Sequence, residues 1–179
     1  MKEYYRREYF IEAKVQRKKT ILGLCAIIGI YLLISIGIYL WYSTLPYQSP
    51  KITLVKIIHY TLTLFFVLAT VVYARIKVKR VDAFYKKCID IETGLVEENF
   101  GNFLEFDESL HTKDGVDFKT AVFVQYRESK KDFFERRVLI FYEKPNPEFI
   151  EGQNVRYITQ GNVLKSYEIV KEGDDKWER

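Results

Sequence analysis

The 22 residues from Ile21 to Tyr42 carry no formally charged side chain. A helix of that length rises ~33 Å, enough to cross a hydrocarbon core ~30 Å thick with slight tilt. This predicts a transmembrane helix. A cleaved signal peptide is the competing reading, because a basic stretch precedes the apolar one. The run, however, exceeds the usual ~7–15 residues, and Ser43-Thr44-Leu45-Pro46-Tyr47 offers no small-x-small cleavage site.

A second run, Ile57 to Ala74, has 18 residues between Lys56 and Arg75. It is near the lower limit for spanning, but Lys56 can direct its ammonium outward to water, so Ile52–Val55 extend the helix. Trp41, Tyr42 and Tyr47 fall where amphipathic rings prefer the headgroup level. Pro46 and Pro50 break the chain between the two runs. The expectation is a tight helical hairpin, with helices at about 21–42 and 53–75.

Basic residues in short flanking segments are retained on the cytoplasmic side. Residues 1–19 hold seven Lys/Arg against three acids, and residues 75–87 hold six against one. The connecting segment 43–56 holds only Lys51 and Lys56. Both termini are therefore expected in the cytoplasm, with the chain in a plasma membrane, bacterial by its small size. Arg17, Lys18, Lys19, Arg75, Lys77, Lys79 and Arg80 are the candidate membrane-surface contacts, each attracting anionic lipid by ~1 kcal/mol near the surface. Residues 88–179 reverse the balance, with 13 basic and 20 acidic side chains. The pI near 8.9 thus reflects juxtamembrane charge and gives no argument for nucleic acid.

The chain divides into a basic, aromatic tail (1–19), the hairpin (20–75), a basic linker (76–87), a β-rich domain (88–171) and a polar tail (172–179). In the first of these, Tyr4, Tyr5, Tyr9, Phe10 and Val15 allow either a short interfacial helix or a solvated tail. The linker continues helically through Val81, Phe84 and Tyr85. Beyond it, Cys88–Glu92 alternates, and Phe103–Phe106, Ala121–Tyr126 and Val138–Tyr142 are dense in β-branched and aromatic residues. Val155–Thr159 and Val163–Val170 form a hairpin around Gln160-Gly161-Asn162, with Gly161 available for positive φ. Five or six short strands in about 85 residues predict a small antiparallel barrel of the OB or SH3 kind, with a β-sandwich as the alternative.

Sites of chemistry are sparse. His59 lies inside the second apolar run, where an ionisable group suggests proton sensing or ligand contact, or simply proximity to water. His111 stands in the acidic stretch Asp107–Asp117, read as a solvated connection that turns at Asp114-Gly115 and matches no metal-loop spacing. Lys86 and Lys87 sit where they would depress the Cys88 thiol, but no histidine is close in sequence to complete a nucleophilic pair. Cys25 and Cys88 have no plausible bridge between them. Catalytic and phosphate-loop signatures are absent from the sequence, so no enzyme, metal or cofactor is expected. Gly23, Gly29, Ser35 and Gly37 are small enough to let a helix approach, either within the chain or in a homo-oligomer.

Phe149–Tyr157 followed by Gly161–Ile169 resembles the last strands of the NfeD-type OB domain, in which a Gly-x-x-Val strand turns into a Gly-x-x-Leu strand. Here these are Gly152–Val155 and Gly161–Leu164. That family also places a β-barrel after membrane helices. The resemblance implies a membrane-tethered interaction module working with a partner membrane protein. The expected function is a non-enzymatic scaffold or accessory subunit bound to the lipid bilayer and to another membrane or cytoplasmic protein. The alternatives are a small oligomeric transporter or channel-like protein, and a membrane-tethered ligand sensor.

Overall fold

The computed structural model describes residues 1–127 and 131–170, so the expected polar tail 172–179 lies outside the described residues. The chain forms two compact units, residues 14–82 and residues 1–13 together with 83 onward.

In the first unit, helix α1 (Arg7–Ser43) from residue 14 onward and helix α2 (Lys51–Tyr73) make the hairpin. At the end of α1 the Ser43 and Thr44 hydroxyls donate to the carbonyls of Leu40 and Trp41 at 2.7 and 2.8 Å, occupying acceptors that a helix end leaves open. Helix α2 begins directly after Pro50 and runs through a π-helical turn, Ala74–Val78, into α3 (Lys79–Thr93). Both α1 and the continuous run Lys51–Thr93 are long and apolar enough to cross a membrane.

Polar contacts join the two helices. The Tyr31 and Thr63 hydroxyls meet at 3.0 Å, Ser35 Oγ and His59 Nε2 at 2.8 Å, and the Tyr73 hydroxyl donates to the Thr20 carbonyl at 3.4 Å. A Cβ on Gly23 would stand 2.7 Å from the Tyr73 hydroxyl, so this glycine makes room for that contact. In hydrocarbon such bonds register one helix against another at ~0.6 kcal/mol each.

The second unit is a closed five-stranded barrel with an added strand. Its strands are β2 (Glu97–Lys113), β3 (Val116–Arg127), β4 (Asp132–Phe141), β5 (Asn154–Gln160) and β6 (Val163–Ile169). The ring order is β2-β3-β4-β6-β5, with β5 returning to β2, and all pairings are antiparallel except β4 with β6. This is the small Greek-key barrel of the OB type.

Closure depends on β2, which pairs with β5 through Glu97–Asn102 and with β3 through Asn102–Lys113. At the handover, a Cβ on Gly101 would lie 3.0 Å from the Val124 carbonyl, so the bare backbone lets the strand bend across β3. Two-residue turns join β2 to β3 at Asp114-Gly115 and β5 to β6 at Gly161-Asn162, all four residues at positive φ.

The interior is aromatic. Phe103, Phe123, Tyr157 and Tyr167 are buried with Ala121, Val138, Ile140, Val155 and Leu164. The connection between β4 and β5 carries no helix; instead Phe149 turns inward, its ring centroid 4.8 Å from Tyr167 and 5.1 Å from Phe103.

Three expectations are corrected. Residues 1–19 are neither a solvated tail nor a separate interfacial helix. Strand β1 (Lys2–Glu3) pairs with β6 at Tyr167 and Ser166, Tyr4 and Tyr5 are buried, and α1 starts at Arg7. The rings find protein rather than headgroups: Phe10 stacks on Tyr85 at 5.7 Å, and Tyr5 meets Tyr9 edge-on at 6.0 Å.

Cys88–Glu92 is not a strand but lies in the last part of α3. Phe84, Cys88 and Ile91 recur at helical spacing and pack with Phe118, Phe141 and Val163, which outweighs the short alternation.

The polar stretch Asp107–Lys113 is strand rather than connection. It continues β2 beyond an irregularity between Asp107 and His111, and polar residues fit there because those positions are largely exposed.

Candidate functional site

Of the basic residues singled out in the sequence, Lys18, Lys19, Arg75, Lys77, Lys79 and Arg80 are exposed, and Arg17 is half-buried. Arg17 Nε donates to Asp82 Oδ1 at 2.8 Å, beside a cavity of about 240 Å³ lined by Thr20, Ile21, Val78 and Val81. The other six are distributed along α1, the π-helical turn and α3. Such an array suits a diffuse anionic surface better than one small ligand.

His59 is held by Ser35, which gives it a structural partner inside the hairpin. Cys25 is exposed on α1, whereas Cys88 is fully buried. The expected depression of the Cys88 thiol is overturned, because burial pushes it up to about 11. Lys87 directs its ammonium to Asp114, 3.6 Å away. A thiol in that state is a poor nucleophile at neutral pH.

Asp107, Ser109 and His111 lie close together on β2. Ser109 Oγ is 2.5 Å from Asp107 Oδ1 and 2.9 Å from His111 Nε2, and Nε2 is also 3.5 Å from Asp107 Oδ2. A nucleophilic triad needs the imidazole between the other two, one nitrogen to each. Here a single nitrogen faces both, and Ser109 gives its proton to the carboxylate. Hydrogen bonds from Ser109 hold the Asp107 carboxyl below the usual range, as befits a surface acceptor. Among the described residues, no three His, Cys, Asp or Glu side chains are placed to hold a metal ion.

What the sequence reading missed is on the outside of β3 and β4. Gln125 turns inward and donates to the Tyr157 hydroxyl at 2.8 Å, which directs its neighbour Tyr126 outward. Tyr126 stands opposite Phe133 in the register, with ring centroids 5.2 Å apart, and the two are 54% and 74% exposed. Glu135 and Arg137 continue the same face of β4, opposite Val124 and Val122. Alternation across Gln125-Tyr126 and Phe133-Phe134 was the available signal, but the opposing strand register is not contained in either segment alone. In the barrel ring β3 and β4 are the second and third strands, paired along Phe118–Arg127 and Asp132–Phe141.

These features define a class: a helical hairpin of membrane-spanning length with a small OB-like barrel that carries an exposed aromatic pair. Comparison with models of protein families, with curated proteins and with solved structures returns no match.

Proposed function

We propose that this chain is a membrane-anchored, non-enzymatic scaffold or accessory subunit whose barrel offers its β3–β4 face to a protein partner. The observation that carries this reading is the Tyr126–Phe133 pair. Two large rings left in water on a strand face are what protein interfaces use as central anchors, bordered here by Glu135 and Arg137 as a charged rim. The acidic balance of residues 88–179 as a whole favours a protein over a nucleic acid as the partner of this unit. A membrane-tethered module of this kind matches what the NfeD-type resemblance implies.

Phe133→Glu combined with Tyr126→Ala is expected to reduce co-purification of the partner from mild detergent at least ~10-fold, the loss typical of interface anchors. The barrel melting temperature should be unchanged, because both rings are exposed. An identical set of co-purified proteins for wild type and variant would sink the interface.

The reading also places both termini in the cytoplasm and the hairpin in a plasma membrane. It is supported by 13 basic residues in the two flanking segments against two in the turn, and by β1 pairing with β6, which keeps the N-terminus with the barrel. With Cys25 replaced by alanine and Cys88 left buried, a cysteine at Ser49 should react with an impermeant thiol reagent on intact cells. A cysteine at the exposed Glu151 should react only after lysis. The reverse pattern would move the barrel and its partner outside.

A further inference from the structure

We propose that the cavity at the turn end of the hairpin is a phospholipid headgroup site that takes a lipid phosphate against Lys56 and His59. The cavity has a volume of about 270 Å³ and is lined by Ile38, Tyr39, Tyr42, Val55, Lys56 and His59. Its lining combines aliphatic side chains with a cation, two phenols and an imidazole, the two chemistries that an amphiphile's headgroup and glycerol require.

Charge decides the occupant. From Ile21 to Val81 the sequence contains no aspartate or glutamate, so the hairpin supplies Lys56 with no carboxylate at this end. An ammonium at the edge of a hydrocarbon layer attracts an opposite charge, and the anion abundant at that depth is the lipid phosphate. Tyr42 and its neighbour Trp41 put the cavity at the level where such headgroups lie.

His59 is positioned for the second contact. Ser35 Oγ holds Nε2 at 2.8 Å, and the ring lies parallel to Tyr60 with an interplanar angle of 8°. Ser35 occupies Nε2, which leaves Nδ1 as the ring nitrogen for a second contact; it donates to a phosphate oxygen in the tautomer in which the Ser35 hydroxyl donates to Nε2. Lys51 serves as a built-in comparison. It has the same charge and lies five residues nearer the turn, but it does not line the cavity.

The test uses the full chain in detergent micelles, with equimolar phosphatidylglycerol and diacylglycerol of the same acyl chains, read by native mass spectrometry. Wild type should retain phosphatidylglycerol about ten-fold over diacylglycerol, roughly what one good charged contact supplies. Lys56→Gln should bring the two lipids within about two-fold of each other, while Lys51→Gln stays near wild type. Lys56 is exposed, so the substitution leaves the hairpin intact, which helical circular dichroism checks. Equal losses for Lys56→Gln and Lys51→Gln would mean diffuse attraction and would overturn the site, as would equal retention of the two lipids by wild type.

Discussion

Replacing Tyr5 by alanine is expected to cost the barrel about 3–5 kcal/mol, the range for removing a buried aromatic ring. Against a typical domain stability of ~5–15 kcal/mol, that is a large share. Tyr5 is only 4% exposed although it lies five residues from the N-terminus. Its ring meets Tyr9 edge-on and lies 6.4 Å from Phe141, and its hydroxyl donates to the Cys88 carbonyl at 3.4 Å. One residue thus joins β1, α1, α3 and β4. The backbone strengthens the attachment, since the amides of Tyr4 and Tyr5 both donate to the Lys165 carbonyl at 3.0 and 2.9 Å.

Thermal unfolding in detergent, followed by near-ultraviolet circular dichroism, checks this. Tyr5→Ala should melt well below wild type. Tyr5→Phe, which keeps the ring and loses one long hydrogen bond, should fall by ~1 kcal/mol or less. A Tyr5→Ala protein that melts with wild type would show that the N-terminal segment is not part of the barrel's cooperative unit.

The same segment shows why some of this fold could be read from sequence and some could not. The hairpin was legible because a bilayer imposes length and apolarity directly on one stretch of chain, so Ile21–Tyr42 needs no long-range information. Strands β3 to β6 were legible because dense runs of β-branched and aromatic residues and the Gly161-Asn162 turn are local signals.

Tyr4 and Tyr5 carried no such signal. Their burial depends on the incomplete pairing of β4 with β6, a single pair at Leu139 and Val163, which leaves the rest of the β6 edge for β1. That gap arises only after the barrel closes. Cys88–Glu92 failed for a related reason: five residues fit both periods, and tertiary contact with Phe118 and Phe141 decides for helix. The aromatic pair at Tyr126 and Phe133 required the β3–β4 register, which is likewise a property of the assembled sheet.

Alkali is expected to unfold the barrel in steps set by its buried acids. Burial is the leading cause that raises Cys88 from 9.0 to about 11 and Tyr157 from 10.0 to about 12, and it drives Tyr4 and Tyr5 further upward. In each case the folded state keeps a proton that the unfolded chain releases at ordinary values. Above pH ~9 the unfolded state therefore binds fewer protons than the folded one, and stability falls as pH rises. Below pH ~8 all four groups are protonated in both states and contribute no slope.

Between pH ~9 and ~11, Cys88 alone gives a slope approaching ~1.4 kcal/mol per pH unit, and above pH ~10 each tyrosine adds a similar amount. The melting temperature should be nearly level to pH ~8.5 and then fall with growing steepness. Lysine deprotonation also begins in this range, so the decisive reading is the difference between variants. Tyr157→Phe removes one titrating group while Gln125 keeps its bond to the Phe100 carbonyl at 2.7 Å, so it should flatten the curve above pH ~10 relative to wild type. Cys88→Ala should flatten it from pH ~9. Curves parallel to wild type for both variants would show that general charge repulsion, and not these buried protons, governs alkaline unfolding.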